Sequence, residues 1–232
     1  MFNTPSLTDA TLTIVDRVAT LAFNRDDVRN ALTGTALTDD ICNTIDWVNR
    51  DNTVSCLIII GNGKSFSAGG NVKDMRDGEN IFGGTPSQIA ENYRRGIQRI
   101  SMAMHTIETP TIAAINGAAI GAGFDLTCMC DIRIGSENTL LGETFVNLGI
   151  IPGDGGAWFL QRLVGYQRAA ELTFSGRLIK AEEAKELGLL LEIVSAVNLL
   201  PRAQELAANF ASKPPQTVRM IKRLMKSAQR LE

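Results

Sequence analysis

The chain has 232 residues, a net charge of −2, 44% hydrophobic and 21% charged residues, and 7 prolines, the make-up of an ordinary packed domain. That balance lacks the basic excess that draws nucleic acid or an anionic membrane surface, and no apolar run approaches the roughly 18–20 residues that span a bilayer. The start, Met1-Phe2-Asn3-Thr4-Pro5, has neither the basic nor the apolar region of a secretory signal.

In chain order, Leu12, Ile14, Val18, Leu21 and Phe23 form two short runs broken at Asp16-Arg17, which predicts a β-hairpin. After Asn24-Arg25-Asp26-Asp27 comes a helix, with Leu37, Ile41, Ile45 and Val48 spaced by four, four and three. The β-branched run 54–60 predicts a strand buried on both faces, closed by the turn Gly61-Asn62-Gly63. The polar, Gly-rich stretch 76–86 predicts a mobile loop. Ile89, Tyr93, Ile97, Ile100, Met104 and Ile107 then mark one long helix, stopped by Pro110. A buried strand over 111–115, a helix from Gly121-Ala122-Gly123 through Cys130 and a strand over 131–134 follow. Helical segments are expected over 156–174 and 180–187, a short strand over 191–194, and two helices over 198–232 split at Pro214-Pro215. Strands and helices alternate throughout, so the class is α/β.

The four cysteines, Cys42, Cys56, Cys128 and Cys130, include no CxxC pair and have no histidine beside them. They read as buried, reduced thiols of a cytoplasmic protein and not as metal ligands. His105 is the only histidine and lies among Met102, Met104 and Ile107, a packing or surface position. A Ser-His-Asp or histidine–metal mechanism therefore has little to work with.

Two strand-to-helix junctions share a design: Ser65-Phe66-Ser67-Ala68-Gly69-Gly70-Asn71-Val72, and Asn116-Gly117-Ala118-Ala119-Ile120-Gly121-Ala122-Gly123-Phe124-Asp125. Small residues let the backbone approach a ligand closely and take positive φ. Free N–H groups at a helix start favour a negative oxygen. Two such amides aimed at one point make an oxyanion hole, whereas either loop alone also suits close packing. Neither reads GxxxxGK[ST], and the second lacks the third glycine of a dinucleotide loop.

The stretch Gly63–Asn71 resembles the first acyl-CoA loop of the crotonase (enoyl-CoA hydratase/isomerase) superfamily. Its second loop is matched by Ala114-Ile115-Asn116-Gly117 through Asp125, followed by Cys130-Asp131-Ile132-Arg133. Asn24-Arg25, Arg29-Asn30-Ala31-Leu32, Leu148-Gly149-Ile150-Ile151-Pro152 with Gly155-Gly156, and Ala181-Glu182-Glu183-Ala184 with Leu187-Gly188-Leu189 also match, in order, from about residue 10 to 195. The resemblance implies a crotonase-type spiral of ββα units over 1–195, with a C-terminal helical region over 196–232 that is shorter than in the family. It also implies a role in fatty-acid metabolism and assembly as a homotrimer or homohexamer.

By the same resemblance the amides of Gly70 and Ala122 bind the thioester oxygen. Arg29, Ala31 and Leu32, with Ser67, Ala68, Gly69, Val72, Gly121 and Phe145, line the CoA and acyl track. The substrate is an acyl-CoA thioester, CoA is part of it, and no separate cofactor or metal is implied. Hydratases of the family use two glutamates; the first aligns with Asp125, one methylene shorter, and the second with Phe145, which transfers no proton. Glu143 lies two residues before Phe145 and shares its face if that segment is a strand. Asp154 sits near where several family isomerases carry a single carboxylate base, and before Gly155-Gly156 it equally suits a helix N-cap. Phe66, Phe124, Phe145, Trp158 and Phe159 make the surroundings apolar, with Phe159 expected in the core, and such surroundings raise a carboxylate's pKa. The expected activity is isomerisation or hydration of an enoyl-CoA through a stabilised enolate. Thioester hydrolysis, decarboxylation or acyl-CoA binding without turnover are the alternatives.

Overall fold

The computed structural model describes residues 3–229. Met1 and Phe2 of the predicted leaderless start, and residues 230–232 of the last predicted helix, lie outside the described residues.

The expected hairpin is strand β1 (Ala10–Val15) against β2 (Val18–Phe23), turned at Asp16 and Arg17 with φ of 47° and 70°. Helix α1 (Leu37–Arg50) buries Leu37, Ile41, Ile45 and Val48, the stripe read from the sequence. Strands β3 (Cys56–Gly61) and β4 (Ser65–Ser67) lead to α2 (Val72–Asp77). Next come α3 (Pro86–Arg95), α4 (Gln98–Thr106), β5 (Thr111–Ile115), β6 (Ala118–Ile120) and α5 (Ala122–Met129). Strands β7 (Ile132–Ser136) and β8 (Leu140–Gly142) precede α6 (Gly156–Val164) and α7 (Tyr166–Ser175). The chain continues through β9 (Leu178–Lys180), α8 (Ala181–Glu186), β10 (Glu192–Val194), α9 (Leu199–Ala211) and α10 (Pro215–Ala228).

From β3 to β8 the chain feeds strands alternately to two sheets. The larger has the order β1-β2-β3-β5-β7-β10, the smaller β4-β6-β8-β9. Only β1 and β9 run antiparallel to their neighbours among the described residues. Parallel neighbours must be joined by crossovers, and here the crossover carries the small-sheet strand as well as a helix. The continuous apolar run of β3 is buried on both faces, as a central parallel strand requires.

Three expectations change. The long helix over 89–107 is two helices, α3 and α4, because Gly96 leaves helical geometry (φ −104°, ψ −115°) and a Cβ there would lie 2.8 Å from Asn92 O. The helix over 156–174 is likewise two, broken at Gly165 (φ +78°). The stretch 76–86 is not one loop: it holds the end of α2 and a 3-10 turn at Asn80–Phe82.

Helix α10 turns its charged face inward. Arg219 donates to the carbonyls of Val48, Asn49, Asp51 and Val54, and Lys222 to Thr109 O and Asp131 Oδ2. Lys226 donates to the carbonyls of Met104, His105 and Ile107. These cations satisfy and oppose the carbonyl ends of α1 and α4. Met220, Ile221, Leu224 and Met225 are left exposed on α10's other side.

Candidate active site

The smaller sheet explains why distant loops meet. Strands β4, β6 and β8 run parallel, with Ser67 opposite Ala119 and Ile120 opposite Gly142. Their C-terminal ends therefore release Gly69-Gly70, Gly121-Ala122 and Glu143 side by side, the edge where parallel sheets place ligand sites. The Gly121 N–H bonds Gly142 O at 2.8 Å. A Cβ on Gly69 (φ +76°) would lie 2.4 Å from Ile120 O and 3.0 Å from Ala122 N, and one on Gly123 would lie 2.3 Å from Ser67 O. Glycine is thus required by loop-to-loop contact, and that contact sets the two junctions against each other.

The backbone groups around Gly70 are used. Leu32 N–H bonds Gly69 O at 2.7 Å, Ala68 N–H bonds Arg29 O at 2.9 Å, and Asn71 N–H bonds Thr33 Oγ1 at 2.8 Å. Ser67 Oγ donates to Asn30 O at 2.7 Å. Arg29, Ala31, Leu32, Ser67, Ala68 and Gly69 are thereby drawn into one wall. Arg29 is exposed there, whereas Ala31 and Leu32 are buried and offer the wall their backbone. Val72 is exposed at the start of α2. By contrast, the N–H groups of Gly70 and of Ala122, first residue of α5, donate to no protein acceptor among the described residues.

The three candidate acids converge. Asp125 lies in the first turn of α5, Glu143 directly after β8, and Asp154 in the loop before α6; they are 0%, 1% and 4% exposed. Asp125 lies close enough to Glu143 and Asp154 for the three to titrate as one group. Its Oδ2 also accepts the Gly156 N–H at 3.1 Å. Asp125 Oδ1, both Glu143 oxygens and Asp154 Oδ1 have no hydrogen-bond partner, and none of the three acids pairs with a lysine or arginine, among the described residues. Three buried carboxyls without a cation cannot all ionise, so this cluster retains protons.

Burial, together with the neighbouring acids, pushes Asp125 well above the usual carboxylate range. Burial also lifts Glu143 to about 7 and raises Asp154, while the hydrogen bond from Asp125 opposes both shifts. Asp125 is therefore held neutral at the centre, Glu143 keeps its proton up to about 7, and the charge falls first on Asp154.

Two local expectations are corrected. Asp154 does not cap α6: the N-cap is Gly155 (φ +121°), and no side chain caps it. Instead, Gln98 Nε2 holds Gly153 O at 2.6 Å and Ser101 Oγ holds Asp154 O. Residues 144–148 form a 3-10 turn rather than a strand, so Phe145 shares no strand face with Glu143 and rests on Gly121, 3.6 Å from where a Cβ would be. Phe66 and Phe124 are core; Trp158 and half-buried Phe159 pack with His105 and line an apolar groove of about 430 Å³ under α10.

Several neighbours of the site carried no sequence signal. Met75 Cε lies 2.4 Å and Phe82 Cζ 3.8 Å from where a Gly70 Cβ would be. Tyr93, edge-on to Phe82, lies 3.7 Å from the corresponding point on Gly153. In the sequence, Phe82 belongs to the polar stretch 76–86, Met75 stands just before it, and Tyr93 belongs to a helix stripe.

Two sheets fed by a spiral of strand–strand–helix turns define a crotonase-type α/β protein. The profile of the family described as "Enoyl-CoA hydratase/isomerase" matches residues 13–232, and the chain belongs to that family. It is 35% identical over 208 residues to "Putative enoyl-CoA hydratase/isomerase YngF" of Bacillus subtilis, covering 89% of this chain and 77% of that protein. It is 35% identical over 209 residues to the "Short-chain-enoyl-CoA hydratase" of Clostridium acetobutylicum, covering 89% and 76%. The crystal structure of enoyl-CoA hydratase from Bacillus anthracis superposes with a TM-score of 0.89 at 33% identity, over 97% of this chain and 85% of that one.

Proposed function

We propose that this chain hydrates 2-enoyl-CoA thioesters, with Gly70 and Ala122 N–H as the oxyanion hole and the Glu143–Asp125–Asp154 cluster as the acid–base device. The observation that carries the reading is the cluster itself: three buried carboxyls, one of them in the first turn of the helix that Ala122 begins, with oxygens that have no hydrogen-bond partner among the described residues. An ionised Asp154 takes a proton from water as the water oxygen bonds C3. The C2=C3 electron pair moves through C2 onto the thioester oxygen, held by the two amides. The enolate then collapses, and C2 takes the proton of Glu143.

Phe145 stands where family hydratases carry their second glutamate, and in this reading Glu143 and Asp154 supply what Phe145 cannot. The same acids can carry a proton from C4 to C2 of a 3-enoyl thioester, so isomerisation is the second activity the site supports. CoA enters as part of the substrate, with the wall from Arg29 to Gly69, Val72 and Gly121 as its track. A homotrimer or homohexamer fits the exposed apolar side of α10, and four buried free thiols fit a cytoplasmic setting.

The test is turnover of 2-butenoyl-CoA and 3-butenoyl-CoA by the purified protein, with products resolved by chromatography. Formation of 3-hydroxybutanoyl-CoA is expected; if neither substrate is consumed, the reading fails.

A further inference from the structure

Building on that hydratase reading, we infer that Met75, Phe82 and Tyr93 close the far end of the acyl pocket and restrict the enzyme to short enoyl chains. Both sides of the reacting centre present bare glycine backbone to this apolar group. On the oxyanion side, Met75 Cε fills the space that a Gly70 Cβ would take, and Phe82 Cζ lies 3.8 Å from the same point. On the acid side, Tyr93 Cε1 lies 3.7 Å from the corresponding point on Gly153, the residue before Asp154. The rings of Phe82 and Tyr93 meet edge to face with centroids 5.9 Å apart. One apolar barrier thus runs from Gly70 to Gly153.

That barrier crosses the path of the acyl chain. With the thioester oxygen on the Gly70 and Ala122 amides and C3 at Asp154, the carbons beyond C3 run toward Phe82 and Tyr93. A short chain ends against the rings, whereas a longer one must displace them.

The barrier is braced from both sides. Phe82 ends the 3-10 turn Asn80–Phe82. Buried Asp74 accepts Asn80 Nδ2 at 2.8 Å and Asn71 Nδ2 at 2.9 Å, which ties that turn to the loop carrying Gly70. Asn92 Nδ2 donates to Ile81 O at 3.3 Å, which ties it to α3, the helix of Tyr93. Ile81 and Tyr93 pack in turn on the main core. Pushing the rings aside would break these contacts, and a packed interior has little spare room to receive them.

Rates with 2-butenoyl-CoA and 2-decenoyl-CoA, measured side by side, test the inference. Wild-type kcat/KM should be at least about tenfold lower for the longer chain, the low end of what an apolar pocket achieves for a single methylene. Phe82→Ala opens the barrier, so the ratio of kcat/KM for the longer chain to that for the shorter should rise by at least about tenfold. A folded Phe82→Ala protein with an unchanged ratio would overturn the barrier, as would a wild type that takes both chains equally well. Should that variant not fold, Phe82→Leu keeps an apolar side chain in the turn and should move the ratio in the same direction; an unmoved ratio there would equally overturn the barrier. Calorimetric titration separates this inference from the hydratase reading. Phe82→Ala should strengthen binding of decanoyl-CoA relative to butanoyl-CoA whether or not either enoyl substrate turns over. If hydration fails while that binding preference shifts, the reaction is wrong and the barrier stands; an unshifted preference would sink the barrier.

Discussion

Gly156 and Asp125 are locked together across two helices: the glycine N–H bonds Asp125 Oδ2 at 3.1 Å, and any side chain at 156 would begin 2.2 Å from Oδ1. Gly156→Ala must therefore push the central acid out of line with Glu143 and Asp154. Overpacking of this kind costs about 1–3 kcal/mol, and hydration should fall at least ~100-fold, in line with misplacement of a catalytic group by about an ångström. Steady-state kinetics with a thermal melt check this; full activity in a folded G156A protein would show that Asp125 has no positional role.

Glu143→Gln and Asp154→Asn each remove one end of the pair. Acid–base catalysis by a positioned side chain contributes about 10²–10⁴-fold, so each should lower kcat by that order and leave KM within a few-fold. The double variant should be little worse than either single one, because the reaction already stops when one end is missing. Additive losses would mean that the two acids work independently.

Glu143 also couples stability to pH. Its carboxyl rises from 4.5 to about 7 on burial, so the folded chain binds its proton more tightly than the unfolded chain does. Below about 4.5 both states hold the proton and nothing is lost. As pH climbs through the window to about 7 the unfolded state ionises first, and stability falls by an amount on the order of 3 kcal/mol. Glu143→Gln is neutral throughout. Its thermal midpoint relative to wild type should thus improve steadily between pH 4.5 and 8, and a pH-independent difference would contradict the burial of the charge.

The elements legible in the sequence are those with a long period or a continuous run. Leu37, Ile41, Ile45 and Val48 announced α1, and the β-branched run before Gly61 announced β3. Hidden from that reading was the smaller sheet, whose strands β4, β6, β8 and β9 have three residues each and are too short to show alternation. Gly96 and Gly165 broke helices whose apolar stripes ran straight through them, since periodicity records faces and not backbone angles. In the site, Asp125, Glu143 and Asp154 could be named one by one from motif positions. That they form one cluster depends on the ends of β6 and β8 and the start of α6 meeting in space.

The inverted face of α10 makes a prediction about assembly. Arg219, at 2% exposure, faces the protein, while Leu224 is 72% exposed beside Met220, Ile221 and Met225. If this side is a contact between copies of the chain, Leu224→Glu should shift the sedimentation velocity of the purified protein toward monomer. Because Leu224 makes no buried contact, the melting temperature extrapolated to low protein concentration should stay unchanged. An unaltered oligomer would place the contact elsewhere.

Ala122 offers a way to remove one amide and keep everything else. It is the first residue of α5, where an N–H has no partner within the helix, and proline is well tolerated at that position. The preceding residue is Gly121 at φ +52°, which has no Cβ to clash with a proline ring. Ala122→Pro should therefore fold normally and leave the carboxyl cluster in place. Loss of one oxyanion donor costs about 2.7–4 kcal/mol in the transition state, or roughly 10²–10³ in kcat. Binding of a saturated acyl-CoA should weaken far less, because a ground-state carbonyl carries little of the charge that the amide stabilises. Isothermal titration with butanoyl-CoA beside steady-state kinetics separates the two effects, and equal losses in both would assign the Ala122 amide to substrate binding rather than to the enolate.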